Sequence, residues 1–291
     1  METNHSSAPL LSIVTINLNN AAGLERTIES VRAQSSGDYE HIIIDGASAD
    51  QSVAVIRRAL ADREYASRVP FWCSERDGGL YDALNKGASR ARGAYCLFLN
   101  SGDVLFDSGT VARIGPLCSA VGADIFYGKC LCFTREREWV QDYPRTLSLA
   151  YLYRASVNHQ NCLIRTALQK KCPYRTDYEI LADRAFFVRA LLEEPELDAR
   201  YVDFIIAKYE CETGVSARNP GKVAAEERRL QRECFPKALR DSFEYLEERE
   251  RAVQERLDEY EKKHRGVLKS MKSLLDTYSA AKARLGLSAR H

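Results

Sequence analysis

The chain has 291 residues, 45% of them hydrophobic and 29% charged, with a formal net charge of +1 at neutral pH. That length supports one large domain with a substantial core plus a smaller element, and the near-neutral balance supplies no field that would draw nucleic acid or another polyanion. Nine cysteines without a C-x-x-C pair read as reduced thiols of a cytosolic protein, which excludes a disulfide framework or a zinc site; a polar start and no run of about eighteen apolar residues exclude an ordinary signal peptide and a membrane span.

Residues 1–9 are polar and are expected to be disordered. Residues 11–16 (LSIVTI) read as a buried strand and stop at Asn17-Leu18-Asn19-Asn20, where asparagine favours a turn and can cap a helix. Leu24, Ile28 and Val31 then recur at helical spacing. A second strand over 41–44 ends in Asp45-Gly46-Ala47-Ser48-Ala49-Asp50, a helix follows through Val53, Ile56 and Leu60, and 69–73 is a third strand. Strand, polar turn and helix thus alternate as in right-handed βαβ units. The expected class is α/β, with a mostly parallel central sheet flanked by helices and its polar turns gathered on one edge.

Residues 74–103 concentrate the chemistry. Glu75, Asp77 and Asp82 surround the tandem Gly78-Gly79, and Leu80, Tyr81, Leu84, Ala88 and Ala91 mark the buried side of a helix. A short apolar strand over 95–99 breaks off at Asn100-Ser101-Gly102-Asp103, the kind of strand end where open α/β sheets bind ligands. No G-x-G-x-x-G follows the first strand and no G-x-x-x-x-G-K-[ST] occurs, which argues against a dinucleotide-binding dehydrogenase or a P-loop NTPase. Acidic turns repel phosphate unless a divalent cation lies between, so a phosphate ligand here implies a metal.

Beyond Asp103 the pattern loosens. Residues 124–127 and 129–133 read as a strand and its hairpin partner around Gly128, with 139–143 as a further edge. A strand over 159–164 begins at His159-Gln160. An irregular charged stretch reaches Glu179, and a helix follows with Phe186, Val188, Leu191 and Leu192 inward and Asp183 in its first turn, where the helix dipole favours a carboxylate. Residues 201–207 form a last strand, 213–216 a turn, and the globular pattern ends at Asn219-Pro220-Gly221, giving a main domain over 10–218 and a helical extension over 219–291. Within that extension a four–three alternation runs over 239–285, through Leu239, Phe243, Leu246, Glu250, Val253, Leu257, Tyr260 and His264 to Leu285. This is a coiled-coil seam, with a hinge possible at Gly266. Residues 262–291 carry eight Lys or Arg against one acid, so the end could instead lie on an anionic membrane surface; self-association is the favoured reading.

Ser74, Glu75, Asp77, Gly79, Tyr81, Asp82, Ala83, Asn85, Lys86 and Gly87, followed by Phe98, Leu99, Asn100, Gly102 and Asp103, match the segments S-E-x-D-x-G-x-Y-D-A-x-N-K-G and F-L-N-x-G-D. On these residues, 10 to about 215 resembles a family 2 glycosyltransferase of the GT-A fold, of the type that builds bacterial O-antigen, capsule or colanic-acid polysaccharides. The resemblance implies an inverting enzyme that transfers a sugar from a nucleotide-sugar donor, UDP favoured over GDP or dTDP, to a glycan or lipid-linked acceptor. It implies a donor site built from Thr15, Asn17, Asp45, Glu75, Asp77, Gly79, Tyr81, Asn85, Lys86, Asn100 and Asp103. Asp183 is the implied general base with Glu179 as runner-up, and His159 and Gln160 lie at the acceptor or diphosphate.

Asn100 and Gly102 stand where the family has the two acids of its D-x-D metal motif. Asp103, with His159 as a second candidate, is therefore the implied ligand of a Mg²⁺ or Mn²⁺ ion. A cytoplasmic homo-oligomer, peripheral at the inner face of the membrane, completes the expectation. The rival from another class is a catalytically weakened binding or assembly subunit of a glycan-synthesis complex.

Overall fold

The computed structural model of the chain describes residues 8–212 and 214–284. Most of the N-terminal stretch expected to be disordered therefore lies outside the described residues, as do Thr213 and everything from Leu285 on.

The first hundred residues form the elements expected of them. β1 (Leu11–Asn17), α1 (Ala21–Arg32), β2 (Tyr39–Asp45), α2 (Ser52–Ala59), α3 (Arg63–Ser67), β3 (Phe71–Ser74), α4 (Leu80–Arg90) and β4 (Tyr95–Asn100) follow in order. Every residue of β1 and β2 is buried, which is why both read as nearly continuous apolar runs. β3, β2, β1 and β4 lie side by side in parallel. Register opposes Asn17 to Asp45, Asp45 to Ser74 and Ile16 to Asn100, so four strand ends meet on one edge. α4 lies close against the sheet at Gly87, where a Cβ would stand 2.3 Å from Val14 Cγ1. On α2 the buried residues are Ser52, Val55, Ile56 and Ala59, so its inward face is rotated from the expected Val53 and Leu60.

Past Asp103 the sheet turns mixed. β5 (Val104–Leu105), α5 (Thr110–Val121), β6 (Ile125–Phe133), β7 (Glu138–Gln141), α6 (Leu149–Arg154), a 3-10 turn (His159–Asn161), β8 (Cys162–Arg165), α7 (Thr166–Lys171), α8 (Ala182–Glu193) and β9 (Ala199–Glu210) continue the chain. β8 is antiparallel to β4 and β6, β9 is parallel to β6, and β5 is antiparallel to β9. Gly128 does not turn a hairpin: it sits inside β6, where the β9 register shifts, and the hairpin partner is β7. A glycine in a strand marks a bulge as readily as a turn. On α8, Phe186 and Val188 are buried as expected, while Leu192 is exposed.

Contacts divide the described chain after Phe235, not at the expected 219. α9 (Val215–Arg218) and α10 (Pro220–Cys234) belong to the first unit, and α10 buries Glu226 and Leu230. The second unit holds α11 (Lys237–Arg284), whose backbone leaves helical geometry at His264 (φ −108°, ψ 15°); the kink is two residues before the expected Gly266. The described side chains of α11 end at Arg265, so the later seam positions and the basic end lie outside them. The nine cysteines are free thiols, and no helix among the described residues is long and apolar enough to cross a membrane.

Candidate active site

Three turns and one helix start build the site. After β1, Asn20 caps α1 by accepting from Gly23 N, and its amide Nδ2 donates to Ser101 O at 2.9 Å. The same helix grips the turn after β4 through Thr27, whose hydroxyl donates to Asp103 O (2.7 Å) and accepts from Gly102 N (2.9 Å). Gly102 stands at φ 112°, a backbone region closed to most side chains, which explains the glycine where the family motif has an acid.

Asp45, at the end of β2, is fully buried. Its Oδ1 accepts from Asn17 Nδ2 (2.7 Å) and Ser48 Oγ (2.5 Å), and its Oδ2 from Ser48 N (3.0 Å) and Ser74 Oγ (2.6 Å). Burial, the largest single influence, pushes its pKa up, but these donors together outweigh it and hold the group below the usual carboxylate range. A carboxylate offers about four acceptor sites, and here each meets a protein donor. Asn17 Oδ1, by contrast, is buried without a partner among the described residues.

Asp103, at the end of the next turn, is buried too, yet among the described residues its carboxylate accepts only from Asn100 N, at 3.1 Å. Burial pushes its pKa up to about 7, opposed by nearby His159. Asn100 Oδ1 is buried without a partner among the described residues.

His159 connects this turn to α8. Asn100 Nδ2 lies 3.2 Å from His159 Nε2, and His159 Nδ1 lies 3.4 Å from Asp183 Oδ2. An amide N–H can only donate, so the ring has one consistent neutral form: Nε2 accepts from Asn100 and Nδ1–H donates to Asp183. Asp183 Oδ1 also accepts from Arg184 N (2.8 Å) and from the Tyr81 hydroxyl (3.3 Å).

Several residues expected to meet the donor are committed elsewhere. Thr15 is fully buried with its hydroxyl 2.9 Å from His41 Nε2, inside a core where burial lowers the His41 pKa to about 3. Tyr81 is a core residue whose hydroxyl donates to Ile180 O at 2.5 Å, so it serves the α8 segment. Asn85 clamps the backbone of Tyr174, donating to its carbonyl (2.8 Å) and accepting from its N–H (2.9 Å). Glu179 is exposed and ion-paired with Lys222 of α10, away from the Asp183–His159 contact, which counts against it as the alternative base.

Lys86 pairs with Glu75 at 2.9 Å. Asp77 accepts from Gly79 N, and Gly79 precedes α4 at φ 118°. Gln160 is buried beside His159 in the 3-10 turn. Sequence reasoning missed Asn20, Thr27 and Arg184; the last is buried with its Nε donating to Leu152 O at 2.6 Å and Nη1 to Glu227 at 2.7 Å. Asn20 carried a signal as a helix cap, whereas Thr27 and Arg184 carried none.

The profile described as glycosyl transferase family 2 matches residues 12–182, which include each of these strand-end turns. The chain belongs to glycosyltransferase family 2. It is similar to a PGL/p-HBAD biosynthesis glycosyltransferase of Mycobacterium bovis, 30% identical over 70% of this chain and 77% of that one. It is 34% identical to an uncharacterized glycosyltransferase of Mycobacterium tuberculosis, over 77% of this chain and 84% of the relative. Among solved structures, S. aureus TarS 1-349 in complex with UDP-GlcNAc aligns with a TM-score of 0.59 at 16% identity, covering 80% of this chain and 70% of that 1-349 fragment. A mannosyltransferase from Pyrobaculum calidifontis in complex with GDP-Man and Mn²⁺ aligns with a TM-score of 0.53 at 14% identity, covering 74% and 61%. The protein is a glycosyltransferase with the GT-A fold.

Enzymes of this fold commonly use divalent cations. No group of three or more His, Cys, Asp or Glu side chains among the described residues is placed to hold one. The turn after β4 nonetheless offers the Asp103 carboxylate and the unpartnered Asn100 Oδ1, while both ring nitrogens of the adjacent His159 already face Asn100 and Asp183. That donor set fits a hard cation that takes its remaining ligands from water and a diphosphate.

Proposed function

We propose that this glycosyltransferase inverts the anomeric centre while moving a sugar from a UDP-sugar to a glycan acceptor, lipid-linked at the cytoplasmic face of the membrane. The observation that carries the reading is the run from Asp103 through Asn100 and His159 to Asp183, with its two His159 contacts at 3.2 and 3.4 Å. It joins a turn suited to a diphosphate to a carboxylate suited to proton removal.

Asp183 takes the proton from the acceptor hydroxyl as that oxygen attacks the anomeric carbon from the face opposite the leaving diphosphate, and His159 orients the carboxylate through its Nδ1 contact. Asp103 and Asn100 would hold a Mg²⁺ or Mn²⁺ ion with His159 adjacent, and a bound cation supplies charge stabilisation to the departing diphosphate. Lys86, paired with Glu75, balances charge on the donor side. Asn17 Oδ1, held by the Asp45 turn, is the acceptor available to a nucleobase N–H, while Asp45 itself acts by shaping that turn.

The enzyme self-associates through α11. Leu246, Val253, Leu257 and Tyr260 each expose roughly half their surface along one seam. Arg249, Arg256 and Lys263 flank the seam on one side, with Glu247 and Glu261 on the other. In a parallel pair these flanks meet with opposite charge, whereas an antiparallel pair sets like against like.

The test is Asp183→Asn, assayed for release of UDP from UDP-GlcNAc and for sugar transfer. General-base loss costs about 10²–10⁴-fold in rate with UDP binding intact; full activity in this variant would end the assignment of Asp183, whereas a wild type that binds UDP-GlcNAc and transfers nothing would favour a binding or assembly role.

A further inference from the structure

Three consecutive backbone N–H groups converge on one side chain just before α8. Glu226 of α10, itself buried, accepts from Glu179 N at 2.7 Å with Oε1 and from Ile180 N and Leu181 N, both at 3.0 Å, with Oε2. Successive amides of this kind form a concave anion cradle, and here a carboxylate from 45–47 residues further along the chain fills it. Leu181 is the residue preceding the first turn of α8 and offers no side-chain cap of its own.

The cradle holds Asp183 between two elements. Ile180 donates its N–H to Glu226 and accepts the Tyr81 hydroxyl at its carbonyl, so α10 and α4 both grip this one residue's backbone. Asp183 follows three residues later and shares that Tyr81 hydroxyl. Other α10 side chains act on the neighbouring residues: Glu227 pairs with Arg184 at 2.7 Å, Arg229 Nη1 donates to Asp177 O at 2.9 Å, and Tyr178 donates to Glu233 at 3.2 Å. A charged hydrogen bond to a backbone amide is among the stronger contacts of a folded chain, and an error of about 1 Å in a reacting group can cost on the order of 10²-fold in rate.

We infer that Glu226 is a positioning residue for the reaction: it sets the backbone of 179–181 and through it the placement of the Asp183 carboxylate. This makes α10 part of the catalytic machinery although it lies beyond the segment the family profile covers. The inference rests on the reading of Asp183 as the base. In Glu226→Gln the new side chain can still accept with its single carbonyl oxygen, but its NH₂ faces an amide donor. The substitution therefore keeps the size of the side chain and breaks at least one of the three amide bonds.

The test uses the full chain as wild type, Glu226→Gln, Asp183→Asn and the double variant. Hydrogen–deuterium exchange first reads the cradle directly: Glu226→Gln is expected to speed exchange at 179–181 and leave the amides of 186–192 unchanged. Turnover of UDP-GlcNAc then reads the consequence. Glu226→Gln is expected to lower kcat about 10- to 100-fold with KM for UDP-GlcNAc unchanged, and to have no further effect in the Asp183→Asn background. Unchanged exchange at 179–181, a wild-type kcat in Glu226→Gln, or an equal loss in kcat and donor affinity overturns the inference. Wild-type turnover in Asp183→Asn overturns the base assignment instead, and without turnover of UDP-GlcNAc by the wild type the exchange result decides.

Discussion

The two strand ends that flank β1 carry buried aspartates with opposite circumstances. Asp45 after β2 meets four donors from Asn17, Ser48 and Ser74, whereas Asp103 after β4 meets one among the described residues, from Asn100 N. The difference shows in their proton affinities, lowered for Asp45 and raised to about 7 for Asp103. A carboxylate whose acceptor sites are filled by the protein holds a turn together; one buried with unfilled sites costs stability and is available to a cation. Position at a strand end alone does not distinguish the two, and hydrogen-bond accounting does.

The largest effect expected from that contrast is on Asp45→Ala. It strands the buried Asn17 amide and releases the half-buried Ser48 and exposed Ser74 hydroxyls, and should lower stability by about 1–3 kcal/mol, measured by urea unfolding. Asp103→Asn should act in the opposite direction: with the buried charge removed, the metal-free protein should melt several degrees higher, at roughly 2–4 °C per kcal/mol, while donor turnover falls.

The pH dependence separates the pair next. Asp103 binds its proton more tightly folded than unfolded, so its contribution makes stability fall as pH rises from about 4 towards 7. Asp45 is the reverse: its contribution is present above about pH 4 and is lost as pH falls through its lowered folded value. In EDTA, Asp103→Asn should therefore flatten the neutral limb of a stability–pH curve and leave the acid limb, at no more than about 1.4 kcal/mol per pH unit for each proton. The smallest effect is at Ala47, which the Asp45 turn holds at φ 61°; Ala47→Gly relieves a strain of about 1 kcal/mol and should raise the melting temperature slightly if the turn is as rigid as its bonds indicate.

Much of the first half was legible because β1, β2 and β4 are buried on both faces and so leave uninterrupted apolar runs. The polar residues that end them are therefore conspicuous. Local pattern reached its limit at Gly128, where a bulge and a turn ask for the same residue, and at Asn219-Pro220-Gly221, where a proline opening α10 resembles the end of a domain. Asp103, His159 and Asp183 were legible as polar residues at element ends, and the structure brings the three together around Asn100. Tyr81 was legible as the buried side of its helix, but the partners that engage Thr15, Tyr81 and Asn85, namely His41, Ile180 and Tyr174, lie 26, 99 and 89 residues away and were not. Glu226 was invisible for the same reason, since a glutamate on a charged helix looks like solvated surface until its three amide donors are known.

The most direct test of the contrast between the two turns is a thermal shift of the full chain with UDP and Mn²⁺. At a ligand concentration about a hundredfold above Kd, binding stabilises by about 2.7 kcal/mol. The wild type should show a rise with UDP and Mn²⁺ together that EDTA removes, and Asp103→Asn should lose most of it. An undiminished, metal-dependent rise in Asp103→Asn would contradict the assignment of the turn after β4 as the cation and diphosphate site.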